Sequence, residues 1–279
     1  CEKMKIFESF VDLINDKSFI KNNIAFIPTM GHLHAGHMSL IKNAENFSKN
    51  ILVSIYVNEA QFNDPRDFEN YPRTLEEDIQ KLRGTNCKFL ITPKEYEIKN
   101  ISKAFDPSLE PKKITEILCG KYRPGHFLNV MDIVHRFFQI LNPKYAFFGK
   151  KDMQQLMVIK ELIKLKNYPI EIIPCETIRD ANGLAMSSRN TLLSPDEQME
   201  SSILFESLSK SKQLFGLKKN ENEIIDIIKN DFESSRLDLE YFEILNLPCI
   251  TSPKGAELYA FISAHCGKIR LIDNMLIGR

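Results

Sequence analysis

Between residues 24 and 174 the chain alternates short apolar runs with segments in which apolar residues recur at helical spacing. The apolar runs lie at residues 24–27, 51–57, 87–92, 145–148 and 170–174. Near-continuous apolar runs of about four to eight residues are typical of strands buried on both faces of a parallel sheet. The pattern therefore predicts an α/β fold with a parallel sheet and right-handed crossovers.

Helices are predicted before the first of these strands and between the others. They cover residues 3–16, 36–47, 74–83, 112–119, 127–141 and 152–166. Buried stripes are expected at Phe7, Phe10, Val11 and Ile14, at Leu40, Ile41, Ala44 and Phe47, and at Val130, Val134, Phe137 and Leu141. Thr74-x-x-Glu77 has the spacing of a capping box. Residues 58–72 and 120–126 are expected to be loops, and residues 94–112 show no periodicity.

From about Ile178 onward the pattern changes to helices followed by consecutive strands. Ser194-Pro195-Asp196-Glu197 combines a capping box with proline at the first helical position, and it predicts a helix to about Phe215. A second helix is predicted at 222–234, and strands at 240–245, 257–264 and 268–277. Helices followed by strands favour a small α+β domain. We therefore predict two domains, residues 1–177 and 178–279.

Composition limits where the protein works and what it binds. Apolar residues make up 43% and charged residues 27% of the chain, which is ordinary for a globular protein. Lys plus Arg and Asp plus Glu are balanced at 37 each, so neither nucleic acid nor an anionic membrane is expected as a partner. The longest apolar runs are too short to span a bilayer, and no signal peptide is visible. The six cysteines are scattered without a CxxC pair, which favours a reduced, cytoplasmic protein.

Two histidines mark the candidate chemistry, because His34 and His37 lie where the first apolar run passes into a helix. A helix start has unpaired N–H groups and the positive end of the helix dipole, which favour an anion such as phosphate. Two imidazoles there can donate to phosphate oxygens, Gly36 allows close approach, and the dipole favours neutral rings. Solvated polar histidines are an alternative. A zinc site with His32 would need further ligands, and Ala35 leaves the H-E-x-x-H pattern unmet.

The residues around this histidine pair resemble the signature of a known family. Pro28-Thr29-Met30-Gly31-x-Leu33-His34-x-Gly36-His37 is similar to the signature of the pantothenate synthetase (pantoate–β-alanine ligase, AMP-forming) family, whose His-x-Gly-His core is a version of the HIGH motif. Four further blocks resemble the family in the same order, and they are Asn58-x-x-Gln61-Phe62 with Tyr71-Pro72-Arg73, Gly149-x-Lys151-Asp152-x-x-Gln155, Met186-Ser187-Ser188-Arg189-Asn190 and Arg270-Leu271-Ile272-Asp273-Asn274. No Walker A, GxGxxG or GxSxG pattern competes with this interpretation.

The resemblance implies a Rossmann-like sheet of the HIGH-motif nucleotidyltransferase type in residues 1–177, which would bind ATP and pantoate, and a small lid in residues 178–279. It implies ATP-binding residues at Met30, Gly31, His34, Gly36, His37, Gly149, Lys150, Lys151, Asp152, Ile178, Met186, Ser187, Ser188 and Arg189. Among these, His34, His37 and Lys151 would be catalytic. Pantoate and β-alanine would be bound by Gln61 and Gln155, supported by Asn58, Tyr71 and Arg123.

The same resemblance implies a two-step reaction. The pantoate carboxylate attacks the α-phosphorus of Mg-ATP, giving pantoyl adenylate and pyrophosphate, and the amine of β-alanine then displaces AMP. ATP with Mg²⁺ is expected as a substrate, with no tightly bound organic cofactor and no metal held by protein side chains, and relatives are typically homodimers. Two alternatives stay open. One is a nucleotidyltransferase for a phosphorylated acceptor, and the other is a non-catalytic relative, suggested by Glu59, Asn129 and Lys150, which depart from the family's usual residues.

Overall fold

The computed structural model describes residues 3–19, 23–248 and 256–278. Its strands are β1 Lys5–Phe7, β2 Ile24–Thr29, β3 Asn50–Ile55, β4 Phe89–Ile91, β5 Tyr145–Gly149, β6 Glu171–Cys175, β7 Asp238–Pro248, β8 Ala256–Cys266 and β9 Ile269–Gly278. Its α-helices are α1 Phe10–Asn15, α2 Ala35–Ala44, α3 Pro65–Glu69, α4 Leu75–Arg83, α5 Glu95–Ile101, α6 Lys112–Thr115, α7 Cys119–Tyr122, α8 His126–Leu141, α9 Met153–Lys166, α10 Pro195–Glu200, α11 Ile203–Gly216 and α12 Glu221–Glu233. Short 3₁₀ helices lie at Glu59–Gln61, Pro107–Leu109, Lys150–Asp152 and Ser188–Leu192.

In the part of the chain that the structure describes, β1 to β6 form one parallel sheet in the order β1-β4-β3-β2-β5-β6. From β2 the chain builds outward through β3 and β4, and it then returns to the other side of β2 for β5 and β6. The strand order therefore reverses between β2 and β5, the position where open α/β sheets bind ligands at the carboxyl ends of their strands. The predicted α/β fold with a parallel sheet is confirmed.

The central strands follow from the apolar runs because both of their faces are covered. The first four residues of β2 and the first five of β3 are buried, and the two strands pair from Ile24 with Asn50 to Thr29 with Ile55. Helix α2 packs Leu40, Ile41 and Ala44 of its predicted apolar face on the same core, but it ends at Ala44, so Phe47 lies beyond the helix and is partly buried against this core. Full burial of each large apolar side chain contributes about 1.5–3 kcal/mol.

The prediction of one helix over residues 3–16 is wrong, because a strand precedes a shorter helix. Strand β1 pairs in parallel with β4, and α1 begins only at Phe10. The side chain of Ser9 accepts hydrogen bonds from two backbone N–H groups of the first turn, which starts the helix at that point. Val11, which was expected on the buried stripe, is 49% exposed. Pairing at the sheet edge overrides the helical spacing of the apolar residues.

The segment 58–72 is not the irregular loop that its polarity predicts. It contains a 3₁₀ helix at Glu59–Gln61 and the short helix α3, whose start is fixed by the Asp64 side chain accepting from the Arg66 N–H and by Pro65 at the first position. Residues 94–112, which show no periodicity in the sequence, contain α5 and the 3₁₀ helix Pro107–Leu109.

Two further boundaries also differ from the prediction. The helix expected at 112–119 is only the single turn α6, and the turn α7 occupies part of the expected loop at 120–126. Leu118, between them, has a φ of 46°, which no continuous α-helix accommodates. Helix α4 forms where it was predicted, but Thr74 makes no side-chain cap hydrogen bond, so the expected capping box with Glu77 is absent.

The described residues fold into two compact units. The first comprises the described residues up to Lys150 together with Gln154–Glu176, and the second comprises Lys151–Met153 and the described residues from Thr177 onward. The second unit contains the antiparallel sheet β7-β8-β9 and the helices α10, α11 and α12. Its core includes Leu204, Leu208, Ile224, Ile228 and Phe232. A small α+β unit that follows the parallel sheet was predicted, and this architecture is confirmed.

The helix predicted from Pro195 to Phe215 is interrupted and forms α10 and α11. The capping box is present, because Ser194 accepts from the Glu197 N–H while the Glu197 carboxylate accepts from the Ser194 N–H. The break follows at Ser201, which is buried and donates its hydroxyl hydrogen to the Glu197 carbonyl at 2.6 Å. A serine that bonds back to the preceding turn is known to bend or interrupt helices.

Over the described ranges, no helix combines the length and apolar character that a membrane crossing requires. Cys87, Cys175 and Cys266 are buried, and burial raises the pKa of the Cys87 thiol to about 12. Cys1 and Cys249 lie outside the described residues.

Candidate active site

Three loops that carry predicted site residues leave the carboxyl edge of the parallel sheet. The loop after β2 carries Met30, Gly31, His34, Gly36 and His37, the loop after β3 carries Asn58 and Gln61, and β5 ends at Gly149 and is followed by Lys150. Because parallel strands end on the same side, the fold collects these residues at one edge, with the first and third loops flanking the reversal of strand order. The sheet itself therefore explains why residues so far apart in sequence share one region.

The backbone between β2 and α2 turns through an unusual conformation. Gly31 has a φ of 82° and His32 a φ of 50°, so two successive residues are left-handed. A Cβ atom on Gly31 would also lie 3.0 Å from Cγ2 of Ile55, so space as well as φ favours glycine here. The hydroxyl of Thr29 accepts from the Gly31 N–H at 3.2 Å and donates to the Ser54 carbonyl at 2.7 Å, which fixes the start of the turn.

Helix α4 holds the next two residues of this loop. The carboxylate of Asp78 accepts from the N–H groups of His32 and Leu33, each at 2.7 Å, and Asp78 has no exposed surface. Lys81, one turn further along, donates its ammonium group to the Leu33 carbonyl at 2.9 Å. Reasoning from the sequence missed Asp78, because the only signal in that segment pointed to Glu77 and a local cap.

His34 is the N-cap of α2, and imidazoles occupy the N–H groups at the helix start. Nδ1 of His34 accepts from the Gly36 N–H at 3.1 Å, and Nδ1 of His37 accepts from the His34 N–H at 3.2 Å. Together they make a reciprocal capping box with histidine in both positions. The N–H groups of His34 and Gly36 are thus paired within the protein, and phosphate binding at this helix start stays a prediction.

This cap determines which nitrogen of each ring can donate. Because both Nδ1 atoms accept hydrogen bonds, the hydrogen of each neutral imidazole lies on Nε2. The ring centroids of His34 and His37 are 4.1 Å apart, so the two rings contact each other at the helix start. A ring that accepts at one nitrogen donates more strongly at the other, and the helix dipole acts in the same direction. The pair is therefore suited to hydrogen-bonding oxygens that carry negative charge.

The side-chain amide of Gln61 is held between two other predicted residues. Its Nε2 donates to Sδ of Met30 at 3.1 Å, and its Oε1 accepts from Nδ2 of Asn58 at 3.3 Å. Asn58 is buried and also donates to the Asn129 carbonyl at 3.4 Å. The structure thus brings Met30, Asn58 and Gln61 into one hydrogen-bonded group.

The backbone beside Gln61 is held by the start of α8. Nδ1 of His126 donates to the Gln61 carbonyl at 2.7 Å, and a guanidinium nitrogen of Arg123 donates to the same oxygen at 3.2 Å. Arg123 also lies 3.2 Å from Nε2 of His126, which accepts from it, and Asn129 donates to the Ala60 carbonyl at 2.5 Å. Sequence reasoning named Arg123 but missed His126 and Asn129 as supports. The basic segment 120–126 was the available signal, but the contact partner lies more than sixty residues away.

The remaining predicted substrate residues, Tyr71 and Gln155, make no hydrogen bond to the Gln61 side chain among the described residues. Tyr71 is buried, with its ring 5.6 Å from that of Phe62. Gln155 is half-buried in α9, and among the described residues no hydrogen bond joins it to Gln61. Its neighbour Gln154 is buried and donates to the Ile117 carbonyl at 2.6 Å, so the two adjacent glutamines differ in role.

The end of β5 carries a cation that is already paired. Lys150 forms an ion pair with Glu176, whose side chain is 79% exposed. A Cβ atom on Gly149 would meet open space, so the packing of the protein does not require glycine at this position.

Tyr56, which follows β3, has its pKa raised to about 12 by burial, and the charges of Glu95 and Glu59 act in the same direction.

Lys151 and Asp152 belong to the second compact unit. The Lys151 ammonium lies 3.2 Å from a carboxylate oxygen of Asp152. The amide of Asn274 in β9 donates to the Lys151 carbonyl at 2.7 Å, which ties this short segment to the antiparallel sheet. Sequence reasoning associated Asn274 with the family's closing strand but not with Lys151, because 123 residues separate them.

A tight hairpin leads to the Ser-Ser-Arg residues of the second unit. The Met186 N–H donates to the Ile178 carbonyl at 2.9 Å, and Asn190 donates its amide to the Ala185 carbonyl at 3.1 Å. The Ser187 hydroxyl accepts from the Arg189 N–H at 3.3 Å, which caps the 3₁₀ helix Ser188–Leu192. Ser188 is buried. This segment therefore begins as an ordered turn.

An ion pair holds the base of the hairpin. Arg179 pairs with Asp273 of β9 through its two terminal nitrogens, Nη1 and Nη2. Its Nη1 also donates to the Gly183 carbonyl at 3.0 Å. The Arg179 guanidinium lies 4.7 Å from the ring centre of Phe205. Burial raises the pKa of Asp273, and the charge of Arg179 opposes that rise. Within the described ranges, no group of three or more His, Cys, Asp or Glu residues has the arrangement of a metal site.

The fold and these loops define an open parallel α/β protein with a histidine-capped helix at the reversal of strand order. A family model described as pantoate–β-alanine ligase matches residues 3–276 of the chain. The chain belongs to this family, as the sequence resemblance predicted.

Relatives support the same assignment over almost the whole length. A pantothenate synthetase from Flavobacterium psychrophilum is 41% identical over 98% of this chain and 99% of the relative. The crystal structure of pantothenate synthetase from Thermus thermophilus is 28% identical, with a TM-score of 0.89 over 99% of this chain and 100% of that one. The pantoate–β-alanine ligase from Francisella tularensis, solved with β,γ-ATP and β-alanine, is 33% identical, with a TM-score of 0.82 and 98% of both chains covered.

Proposed function

We propose that the chain catalyses the ATP-dependent condensation of pantoate with β-alanine through a pantoyl adenylate, releasing AMP and pyrophosphate. The observation that carries the proposal is the contact between the Gln61 amide and Met30, because it unites the predicted pantoate and ATP residues in one group. A primary amide offers both donors and an acceptor, as a hydroxy acid requires. Membership of the ligase family supports the same reaction.

In the first step a pantoate carboxylate oxygen attacks the α-phosphorus, and the bond from that phosphorus to the bridging oxygen of pyrophosphate breaks. Negative charge grows on the phosphate oxygens, so fixed donors accelerate the step. The Nε2–H groups of His34 and His37 would supply two such donors, because the helix cap holds both rings. Lys151 would add a positive charge, and Ser187, Ser188 and Arg189 would bind the rest of the triphosphate.

In the second step the amine of β-alanine attacks the acyl carbon, the bond to the AMP oxygen breaks, and the amine loses a proton. Since adenylation has already created the leaving group, the protein's task here is mainly to position two substrates. Gln61 and Gln155 would hold the pantoyl group. Asn58, Tyr71 and Arg123 would act as supports, and the first and last of these are bonded to Gln61 itself.

The proposal has several further parts. The remaining ATP contacts would come from Met30, Gly31, Gly36, Gly149, Lys150, Asp152, Ile178 and Met186. Mg²⁺ would enter with ATP as part of the substrate, and no organic cofactor would be retained. The Francisella complex with β,γ-ATP and β-alanine supports these two compounds as substrates here. A homodimer and a lid role for residues 178–279 rest on the family resemblance, and a cytoplasmic location rests on the scattered cysteines without a CxxC pair.

Pyrophosphate exchange tests the proposal. Labelled pyrophosphate should enter ATP only when pantoate is present and without any β-alanine, and Lys151→Ala should abolish the exchange. Mass spectrometry should then detect pantothenate and AMP once β-alanine is added. Release of ADP would contradict the adenylate mechanism, exchange that ignores pantoate would indicate a nucleotidyltransferase for another acceptor, and ATP binding without exchange would indicate a non-catalytic relative.

Separate variants test the assignment of the two glutamines. Gln61→Ala and Gln155→Ala should each raise the KM for pantoate by about tenfold or more while changing the Kd for ATP little, because each leaves a substrate oxygen without its partner. Isothermal titration with ATP and steady-state kinetics with pantoate give the two quantities. If ATP affinity fell while pantoate use held, the glutamines would belong to the nucleotide site instead.

A further inference from the structure

The carboxylate of Asp78 is a deeply buried charged group next to the histidine loop. It has no exposed surface, while its neighbours Glu76 and Glu77 are exposed. Burying an ionised carboxylate is very unfavourable unless hydrogen bonds replace its water. Here each oxygen accepts one backbone N–H, from Leu33 at Oδ1 and from His32 at Oδ2, at 2.7 Å in both cases. The two loop N–H groups therefore stabilise the buried carboxylate, and the carboxylate in turn fixes the backbone of residues 32–33.

The loop that Asp78 holds cannot easily keep its shape alone. Gly31 and His32 are both left-handed, and this conformation is unfavourable for a residue with a side chain such as His32. A backbone conformation of this kind persists where several surrounding contacts hold it in place. Lys81, on the same helix as Asp78, adds a third bond by donating to the Leu33 carbonyl. One helix thus supplies two acceptors and one donor to two consecutive residues.

The held residues lead directly into the histidine cap. Leu33 is buried and immediately precedes His34, whose Nδ1 must accept from the Gly36 N–H for Nε2 to carry the hydrogen. A change in the path of residues 32–33 would move the His34 backbone N–H away from Nδ1 of His37 as well. Both rings would then lose the acceptor geometry that directs their donors.

We propose that Asp78 is a positioning residue for the reaction, which fixes residues 32–33 so that His34 and His37 present Nε2–H to the phosphates. This role rests on the proposed function of the two histidines. Asp78 itself bonds to backbone and, at 3.4 Å, to the hydroxyl of Thr74, so it acts through the loop. Displacement of a reacting group by about 1 Å commonly lowers a rate by about 10²-fold.

Asp78→Asn is the decisive variant, because it keeps the volume and removes one acceptor. The amide nitrogen would face a backbone N–H, so one of the two bonds is replaced by a contact between donors. We expect kcat for pantoate-dependent pyrophosphate exchange to fall by about 10²-fold, with little change in the KM for pantoate. The matched control is Glu97→Gln, since Glu97 also accepts a backbone N–H from another element, that of Phe10 at 2.8 Å. It should lower thermal stability without lowering kcat.

A second readout does not depend on activity. Nitrogen-15 NMR of the imidazole rings reports which nitrogen carries the hydrogen, and Asp78→Asn should add the Nδ1–H form at His34 and His37. His135 and His265 serve as internal references and should not change. Lys81→Met removes the hydrogen bond from the ammonium group to the Leu33 carbonyl, and it should lower kcat by about fivefold. It provides the test if Asp78→Asn does not fold.

The outcomes separate this proposal from the proposed function. If wild-type protein shows no exchange but the ring signals change in Asp78→Asn, positioning by Asp78 stands and the proposed reaction fails. If wild type exchanges and folded Asp78→Asn keeps kcat within about threefold with unchanged rings, the positioning role is overturned. The same holds if Lys81→Met, used in its place, has wild-type kinetics and ring signals. A loss of kcat in Glu97→Gln equal to that in Asp78→Asn would also overturn it, because stability alone would then explain both.

Discussion

The histidine loop of the first unit and the Ser-Ser-Arg hairpin of the second are supported in different ways. In the histidine loop the candidate catalytic rings themselves cap a ten-residue helix, α2, whose other face is buried in the core. In the hairpin, Ser187 caps only a five-residue 3₁₀ helix, and the main anchor lies at the base, where Arg179 meets Asp273. One region is thus fixed at its candidate functional side chains, and the other is fixed several residues before them.

This difference predicts different consequences of mutation. A group that both caps a helix and binds a ligand cannot be removed without changing the reaction, because the same atoms serve both purposes. Removing a group that anchors a hairpin from its base should first lower the stability of the hairpin. Activity should then fall only because the hairpin is less stable. Helices of 3₁₀ type are also weaker than α-helices of similar length, so the hairpin tip depends more on its anchor.

The largest effect is expected in the histidine loop. His37→Ala removes one Nε2–H donor and the acceptor for the His34 N–H, and should lower the adenylation rate by about 10²–10³-fold. Single-turnover formation of pantoyl adenylate measures this rate, and circular dichroism checks the fold. A loss of less than about threefold in a folded variant would leave His37 a structural role only.

The second effect tests the anchor of the hairpin. Asp273 is 1% exposed and Arg179 is 19% exposed, and removing one partner of a buried ion pair costs about 3–5 kcal/mol. We expect Asp273→Asn to lower the free energy of unfolding by about 3 kcal/mol, the lower end, because Arg179 can still reach water. Urea denaturation gives the value. The double variant Asp273→Leu with Arg179→Met should recover part of the loss, and no recovery would mean that the charges are not the cause.

These two regions also show what the sequence could predict about the fold. The apolar runs of β2, β3 and β5 and the stripe of α8 were sufficient, since burial on both faces leaves few alternatives. Strand β1 could not be predicted, because three residues gain their structure from pairing with β4. The break after Glu200 depends on one buried serine whose neighbours favour helix.

The candidate site was predictable to a similar extent. The position of the histidine pair at a helix start made it a candidate by itself, whereas the family resemblance gave Gln61 and the Ser-Ser-Arg residues, and all these roles stay predictions. The supports Asp78, His126 and Asn274 act on partners 45, 65 and 123 residues away, and each bonds to backbone. Backbone carries no sequence signal, so contacts of this type could not be inferred from one chain.

The third effect is expected at the turn of the hairpin. Gly183 has a φ of 87°, and a Cβ there would lie 2.1 Å from Cδ1 of Phe205, the ring that the Arg179 guanidinium contacts. Overpacking typically costs about 1–3 kcal/mol, so Gly183→Ala should lower the free energy of unfolding by about 2–3 kcal/mol once backbone strain is included. Differential scanning calorimetry measures the loss. A stability equal to wild type would show that the ring can move freely, which would weaken the case for a rigid base.

The smallest change in stability, and the sharpest test of the comparison, is expected for Gly31→Ala. Its φ of 82° disfavours alanine by about 1–2 kcal/mol, and the new Cβ would lie 3.0 Å from Ile55 and 3.2 Å from the Asp78 carboxylate. Either neighbour must shift by a few tenths of an ångström, so we expect this modest stability loss to accompany a much larger loss in kcat for pyrophosphate exchange. Gly149→Ala is the control, because open space surrounds its Cβ position and stability should stay within about 0.5 kcal/mol. If Gly31→Ala lost only stability, with kcat unchanged, the histidine loop would behave like the hairpin, and the distinction between the two regions would be wrong.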